Sequence, residues 1–243
     1  MIRTHVDAVV QVRDGFTGWP IESGGLLCTL DGLPCRPVRK PGGGLVLVNL
    51  PGGSHRLLLN YRGFREEQVD FSVDGGAARE LYVALKPSAG YAFRGEVARL
   101  WLIVREGASP AVDRALWLTS PGAPECKLAQ TKAEPGATEL RIFRKGLPTR
   151  LPIPGPFLVD DGEHTEIVTL QSLNGETGRL AAPLQREHGR GSLLLPVQQY
   201  RTDGEGELSA VFRGPGGIVL FGGKGEPLKI ALAPGETRQT LSL

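Results

Sequence analysis

Alternation with a period of two constrains this chain more than any other feature. Val6, Ala8, Val10 and Val12 fall on one side and Asp7, Gln11 and Arg13 on the other, the pattern of a half-buried β-strand. Leu57, Leu59 and Tyr61 repeat the pattern against Arg56 and Asn60, and Val69, Phe71 and Val73 repeat it against Gln68, Asp70 and Ser72. Leu81, Val83 and Leu85 close the series, while Leu45 to Leu50 is apolar on both faces, as a central strand must be. Turn residues separate these runs: Asp14-Gly15, Asp31-Gly32, Pro51-Gly52-Gly53 and Gly75-Gly76. With 34 glycines and 19 prolines, the chain has turn residues enough for many short elements. No stretch carries the apolar spacing of a long helix. About seven short strands over residues 1–88 therefore predict a β-sandwich, and residues 89–243 a second β-rich domain.

In that second region Val97 to Val104, Ala115 to Thr119, Leu140 to Phe143, Glu166 to Leu170, Arg179 to Leu184, Leu193 to Gln199, Leu208 to Phe212, Ile218 to Phe221 and Leu228 to Leu232 are strand candidates. Trp101 and Trp117 are expected in the core. Gly146 to Pro156 contains four prolines, and proline lacks the N–H a central strand needs. That segment is expected to be an extended connector and a point of subdivision, near 146–156. The fold class is all-β.

Residues 5–86 carry more specific patterns. Asp14-Gly-Phe-Thr-Gly-Trp-Pro-Ile21, Lys40-Pro-Gly-Gly-Gly-Leu-Val-Leu-Val-Asn-Leu-Pro-Gly-Gly53 and Tyr61-Arg-Gly-Phe64 follow one another in order. In this the region resembles the carboxypeptidase-regulatory-like, or transthyretin-like, superfamily and the related Cna-B repeats, which implies an immunoglobulin-like sandwich and a scaffold rather than a chemistry. The Cna-B branch often carries an isopeptide lysine on its first strand, and His5 to Arg13 has none. Thr202-Asp-Gly-Glu-Gly206 followed by Leu208, Ala210 and Phe212, with Leu232-Ala-Pro-Gly-Glu236, looks like segments of a similar sandwich. Val159 to Leu195 is loosely similar to β-modules of phage-tail and contractile-injection proteins.

Several function classes find no support. The formal net charge is +2, and the densest basic run, Arg36 to Lys40, is broken by Pro37 and is read as a solvated loop, so nucleic acid is not an expected partner. No apolar run reaches the ~20 residues of a membrane helix. The sequence opens directly into an alternating strand without an apolar leader, which predicts synthesis in the cytoplasm. No nucleophile turn of the Gly-x-Ser-x-Gly type occurs. The glycine-rich Phe221 to Glu226 lacks the ending of a phosphate-binding loop and is read as a hairpin.

The most metal-like cluster is His164 with Asp160, Asp161, Glu163 and Glu166, yet no second histidine stands at ligand spacing, and the same pattern describes an exposed hairpin lip. His188 is read as a loop residue. No catalytic residue, metal ligand or cofactor is assigned. Cys28 and Cys35 flank the Asp31-Gly32 turn and can approach each other; Cys126 makes the count odd, and simple buried thiols are the plainer reading.

These observations predict a non-enzymatic structural or assembly protein whose partners are other protein subunits, in a phage-tail-like or contractile-injection particle. A carbohydrate- or surface-binding module is the alternative, and a metal-dependent hydrolase using the Asp160 to Glu166 loop the third. Trp19 and Phe64 are the candidate contact residues.

Overall fold

A computed structural model describes residues 5–144, 151–222 and 225–243. The chain divides into two compact units, Met1–Arg94 and Gly95–Leu243. The only helical segment among the described residues is a single turn at Ser23–Gly25. No described helix is long and apolar enough to cross a membrane.

The first unit is built from β1 (Val6–Asp14), β2 (Leu27–Leu30), β3 (Leu33–Cys35), β4 (Val38–Lys40), β5 (Gly44–Val48), β6 (Gly53–Asn60), β7 (Glu67–Val73) and β8 (Arg79–Leu85). They form two four-stranded sheets, β4-β5-β1-β8 and β3-β2-β6-β7. The alternating apolar residues meet between the sheets, with Ala8, Val10, Val12, Leu45, Leu57, Leu59 and Leu85 fully buried. First and last strands run parallel, Val12 opposite Val83. Arg36 to Lys40 departs from the solvated-loop reading. Val38–Lys40 pairs with β5 as an edge strand whose side chains are all exposed, so no alternation marks it in the sequence.

The second unit contains a sandwich and a barrel. Its strands are β9 (Val97–Glu106), β10 (Ser109–Pro110), β11 (Ala115–Leu118), β12 (Cys126–Leu128), β13 (Lys132–Ala133), β14 (Glu139–Arg144), β15 (Gly155–Asp160), β16 (Thr165–Asn174), β17 (Thr177–Leu180), β18 (His188–Gly189), β19 (Leu193–Pro196), β20 (Gln198–Arg201), β21 (Glu207–Arg213), β22 (Gly216–Phe221), β23 (Leu228–Leu232) and β24 (Gly235–Ser242). One sheet has β9 between β21 and β24, with β10 at its end; the other runs β20-β11-β22-β23. A separate closed barrel runs β12-β14-β17-β16-β15-β19.

Apart from edge strand β4, which has no counterpart among the described residues, this sandwich repeats the first unit. In unit one β1 pairs antiparallel with β5 (Val10 opposite Leu45) and parallel with β8; in unit two β9 pairs antiparallel with β21 (Leu102 opposite Leu208) and parallel with β24 (Val104 opposite Leu241). The order β3-β2-β6-β7 matches β20-β11-β22-β23, with Cys28–Cys35 equivalent to Leu116–Tyr200 and His55–Phe71 to Ile218–Ile230. Even the junctions agree. Val12 N donates to Gly43 O and Ile21 N to Val12 O, both at 3.1 Å; Val104 N donates to Gly206 O at 2.8 Å and Ala111 N to Val104 O at 2.9 Å. Gly43 and Gly206 have φ of 79° and 74°, and a β-carbon on either would lie 2.6 Å from the carbonyl oxygen of Val12 or Val104. Glycine is required at both positions.

The largest difference between the two sandwiches is at one hairpin. In unit one Leu30 and Leu33 are joined by Asp31-Gly32, with φ of 52° and 82°, the two-residue turn suited to strand twist. In unit two the equivalent pair, Leu118 and Gln198, is separated by residues 119–197, and the barrel lies in that span. The expected subdivision near 146–156 is corrected by the same topology. Residues 145–150 lie outside the described residues, but the flanking β14 and β15 belong to one barrel, so the segment connects strands within it. Strand alternation continues through the insert without a break, which hid its boundaries.

The barrel has its own core of Leu128, Leu140, Ile142, Phe157, Val159, Leu170 and Leu194. Leu158 and Leu195 on its outer surface, with Val197 at the end of the insert, meet Phe221 of the sandwich, with Trp117 and Val219 packed against them. Trp117 therefore sits on a seam, partly buried. Trp101 lies on the outward face of β9 beneath Arg238, whose guanidinium is 5.7 Å from the ring centroid. Neither tryptophan is in a sandwich core, because each has the parity opposite to its buried neighbours Leu100 and Leu102, or Leu116 and Leu118. The Phe221 to Glu226 hairpin lies partly outside the described residues.

Candidate functional site

The loop leaving β1 is the most organised exposed feature of the first unit. Asp14 ends the strand and its carboxylate gathers donors: Oδ1 accepts from Phe16 N at 2.7 Å and Thr17 N at 3.1 Å, and Oδ2 from the Tyr91 hydroxyl at 2.6 Å. Gly18 N donates to Asp14 O at 2.8 Å, Asp14 N to Trp19 O at 2.9 Å, and Trp19 N to Thr17 Oγ1 at 3.2 Å. Arg13 Nη1 reaches Gly18 O at 3.3 Å, and its guanidinium lies 5.3 Å from the Tyr82 ring centroid. A short polar residue followed by Gly, Thr and Gly makes this closed turn, since Asp14 Oδ1 and Thr17 Oγ1 satisfy backbone N–H groups two or three residues away.

Trp19 rides on this turn with 67% of its surface exposed. Its backbone is fixed at both the N–H and the carbonyl, so the ring is presented at little further cost in backbone entropy. Phe64 is placed differently. It is half-buried among rings, 5.8 Å from Tyr61 and 5.1 Å from Tyr91, while Tyr91 and Phe93 pack on Phe16. Phe64 thus supports the loop from beneath. Other large apolar side chains exposed in this unit are Leu27 and Leu33, at 69% and 71%, with Val6 and Val38.

The carboxylate cluster of the barrel is organised by a residue the sequence did not single out. His188 is fully buried, with Nδ1 2.9 Å from Asp161 Oδ2 and Nε2 2.9 Å from Glu166 Oε1. Asp161 Oδ1 also accepts from Glu163 N at 2.9 Å and His164 N at 2.6 Å, and Glu166 accepts from Gln185 N and Arg186 N, both at 3.1 Å. Burial raises the Asp161 carboxyl, but the His164 and Glu163 N–H groups and His188 outweigh it and leave it below the usual carboxylate range. His164, expected at the centre, is largely exposed and 3.8 Å from Asp161. No group of three or more metal-competent side chains occurs among the described residues.

With both ring nitrogens and both carboxylates engaged inside the protein, this constellation is a clamp. It ties the 185–188 segment to the β15–β16 hairpin. His188 was read as a loop residue because its partners lie 27 and 22 residues away, across the barrel. The one signal was its place in β18, pairing with β13.

A second buried histidine performs a similar task in unit one. His55 Nδ1 is 2.7 Å from Asp31 Oδ2 and Nε2 is 2.8 Å from Pro51 O. The Asp31 carboxylate and the Pro51 carbonyl raise its pKa above the usual histidine value. Asp31, which also accepts from Arg56 N at 2.8 Å, is held low by that N–H and by His55. The β2–β3 turn is thereby fastened to the corner before β6.

No protein-family model matches the chain, and no curated protein matches it. Among solved structures it is similar to a minor pilin of Streptococcus agalactiae, GBS52, at 13% identity over 97% of this chain and 95% of that one, with a TM-score of 0.26. It is also similar to the major pilin subunit of Bacillus cereus, BcpA, at 8% identity over 99% of each chain, TM-score 0.29. A streptococcal ancillary pilin gives 10% identity over 99% of this chain and 68% of that one, TM-score 0.28. Superposition at these scores does not establish a common architecture, and the chain's own sheets define it as a multi-domain all-β protein.

Proposed function

We propose that the chain is a non-enzymatic structural or assembly component that binds other protein subunits through the first unit. The observation that carries this is Trp19, exposed on a turn closed by Asp14. A large exposed aromatic on a hydrogen-bonded turn has the character of an interface hot spot. The titratable clusters are consumed by internal hydrogen bonds, which supports a scaffold over a catalyst. Membership of a phage-tail-like or contractile-injection particle is the finer reading and rests on the sequence resemblance of Val159 to Leu195.

Quantitative affinity purification from the native source, comparing wild type with Trp19→Ala, tests it. Loss of a hot spot costs about 2 kcal/mol or more, a fall of roughly 30-fold in affinity. A defined set of subunits recovered with wild type and depleted with the variant is the expected result. The same subunits recovered equally would remove Trp19 from the interface. The second reading, a carbohydrate-binding module, also uses Trp19, whose exposed ring could stack on a sugar. Glycan-array binding abolished by Trp19→Ala, with no protein partner recovered, would replace the first reading by the second.

A further inference from the structure

Cys28 and Cys35 face each other directly across the β2–β3 hairpin, on the side of the sheet that packs into the core. The two-residue turn between Leu30 and Leu33 places them two residues from the closing pair, so they too are a hydrogen-bonded pair, with α-carbons about 5.5 Å apart. That is within the span a disulfide bridges. Both cysteines are free. They differ in access: Cys28 is buried, whereas Cys35 is half-buried on a three-residue edge strand. Cys126, buried in the barrel, lies in the other unit.

We propose that Cys28 and Cys35 form a reversible disulfide by exchange with a low-molecular-weight disulfide such as glutathione disulfide, fastening edge strand β3 to β2. The Cys35 thiolate, the more accessible, attacks one sulfur of the reagent; the reagent's S–S bond breaks, a mixed disulfide forms at Cys35, and one thiolate leaves. Cys28 then loses its proton and attacks the Cys35 sulfur. The mixed disulfide breaks, Cys28–Cys35 closes, and the second thiolate departs and is protonated. Two cysteine thiols are oxidised and one reagent disulfide is reduced to two thiols.

Closure must draw the β-carbons together by roughly 1 Å from their cross-strand separation. Among the described residues edge strand β3 pairs on one side alone, and a bond closed against the cross-strand separation is strained, hence readily reduced. The site is therefore a responsive one, unlike a permanent staple. Burial and the neighbouring Cys35 push the Cys28 thiol up to about 11, so the second step quickens as the pH rises.

The test is prolonged incubation of the full chain with glutathione disulfide at about pH 8.5, where burial leaves both thiols only a minor thiolate fraction and exchange is slow, followed by acid quench, intact mass and alkylation of the denatured chain. Trypsin leaves both cysteines on one peptide, since Arg36 precedes proline and the next basic residue is Arg39. The expected product is lighter by about 2 Da, that peptide takes up no alkylating agent until reduced, Cys126 is alkylated throughout, and dithiothreitol reverses the change. Cys28→Ser should instead accumulate glutathione on Cys35. Wild type that keeps all three thiols free, keeps glutathione on Cys35, or links to Cys126 would overturn the proposal.

Discussion

Replacing His188 by alanine should unlock the barrel. The ring is fully buried and lies 2.9 Å from carboxylate oxygens of both Asp161 and Glu166, whose side chains are only 16% and 11% exposed. Removing it leaves two largely buried carboxylates without their shared partner. Breaking one member of a buried ionic cluster costs about 3–5 kcal/mol, a large share of the ~5–15 kcal/mol that holds a domain together. The backbone donors to Asp161 and Glu166 remain, so the loss should fall at the lower part of that range.

Native-state hydrogen exchange resolves it: amides of β15, β16 and β18 should lose about 3 kcal/mol of protection, roughly a hundredfold faster exchange. Acid gives the sign. The wild-type Asp161 carboxyl lies below its ordinary value, so its contribution is present above about pH 4 and is lost as pH falls through the folded value. The variant lacks the His188 share of that lowering, so the gap between the two proteins should narrow in acid. An alanine variant with unchanged exchange at neutral pH would refute the clamp and reopen the cluster as a functional site.

Three further outcomes follow from named contacts. His55 has a raised folded pKa, so its stabilisation is present in full below 6.5 and is lost as pH rises through the folded value, while Asp31, lowered, contributes above 3.8. The urea midpoint difference between wild type and His55→Gln should therefore be larger at about pH 5.5 than at about pH 9. Gly43→Ala and Gly206→Ala should each destabilise their own sandwich by about 2 kcal/mol or more, from a positive φ and a β-carbon pressed on a carbonyl oxygen, measured by urea denaturation. Exchanging residues 119–197 for Asp-Gly should leave the second sandwich folded, weakened by about 4–5 kcal/mol from uncovering Phe221 and losing the two Thr119–Val219 hydrogen bonds. A sharp unfolding transition for that sandwich, read by hydrogen exchange on β9 and β22, is the check.

The sequence announced its sandwich strands wherever one face is buried and the other wet. β1, β6 and β7 could be drawn from parity alone, and β5 from its apolar run between two neighbours. Edge strands escaped because exposure on both faces erases parity, as in Val38–Lys40. The repeat was half visible. Gly206 followed by Leu208, Ala210 and Phe212 echoed Gly43, Leu45 and Leu47, but β11 and β20, neighbours in the sheet, lie too far apart in the chain for local pattern to join them. The Trp19 loop was legible because its hydrogen bonds close within a few residues. The His188 clamp was not, since burial and long-range pairing decide it, and the carboxylates drew attention to His164 instead.

The most direct measurement is the mass of the species that holds this chain in extract of its native source, by sedimentation with quantitative mass spectrometry. A subunit of an assembly should sediment far above the 26.0 kDa of the single chain, with fixed companions, and Trp19→Ala should shift it toward the free chain. Wild-type chain found alone at its own mass would contradict the account.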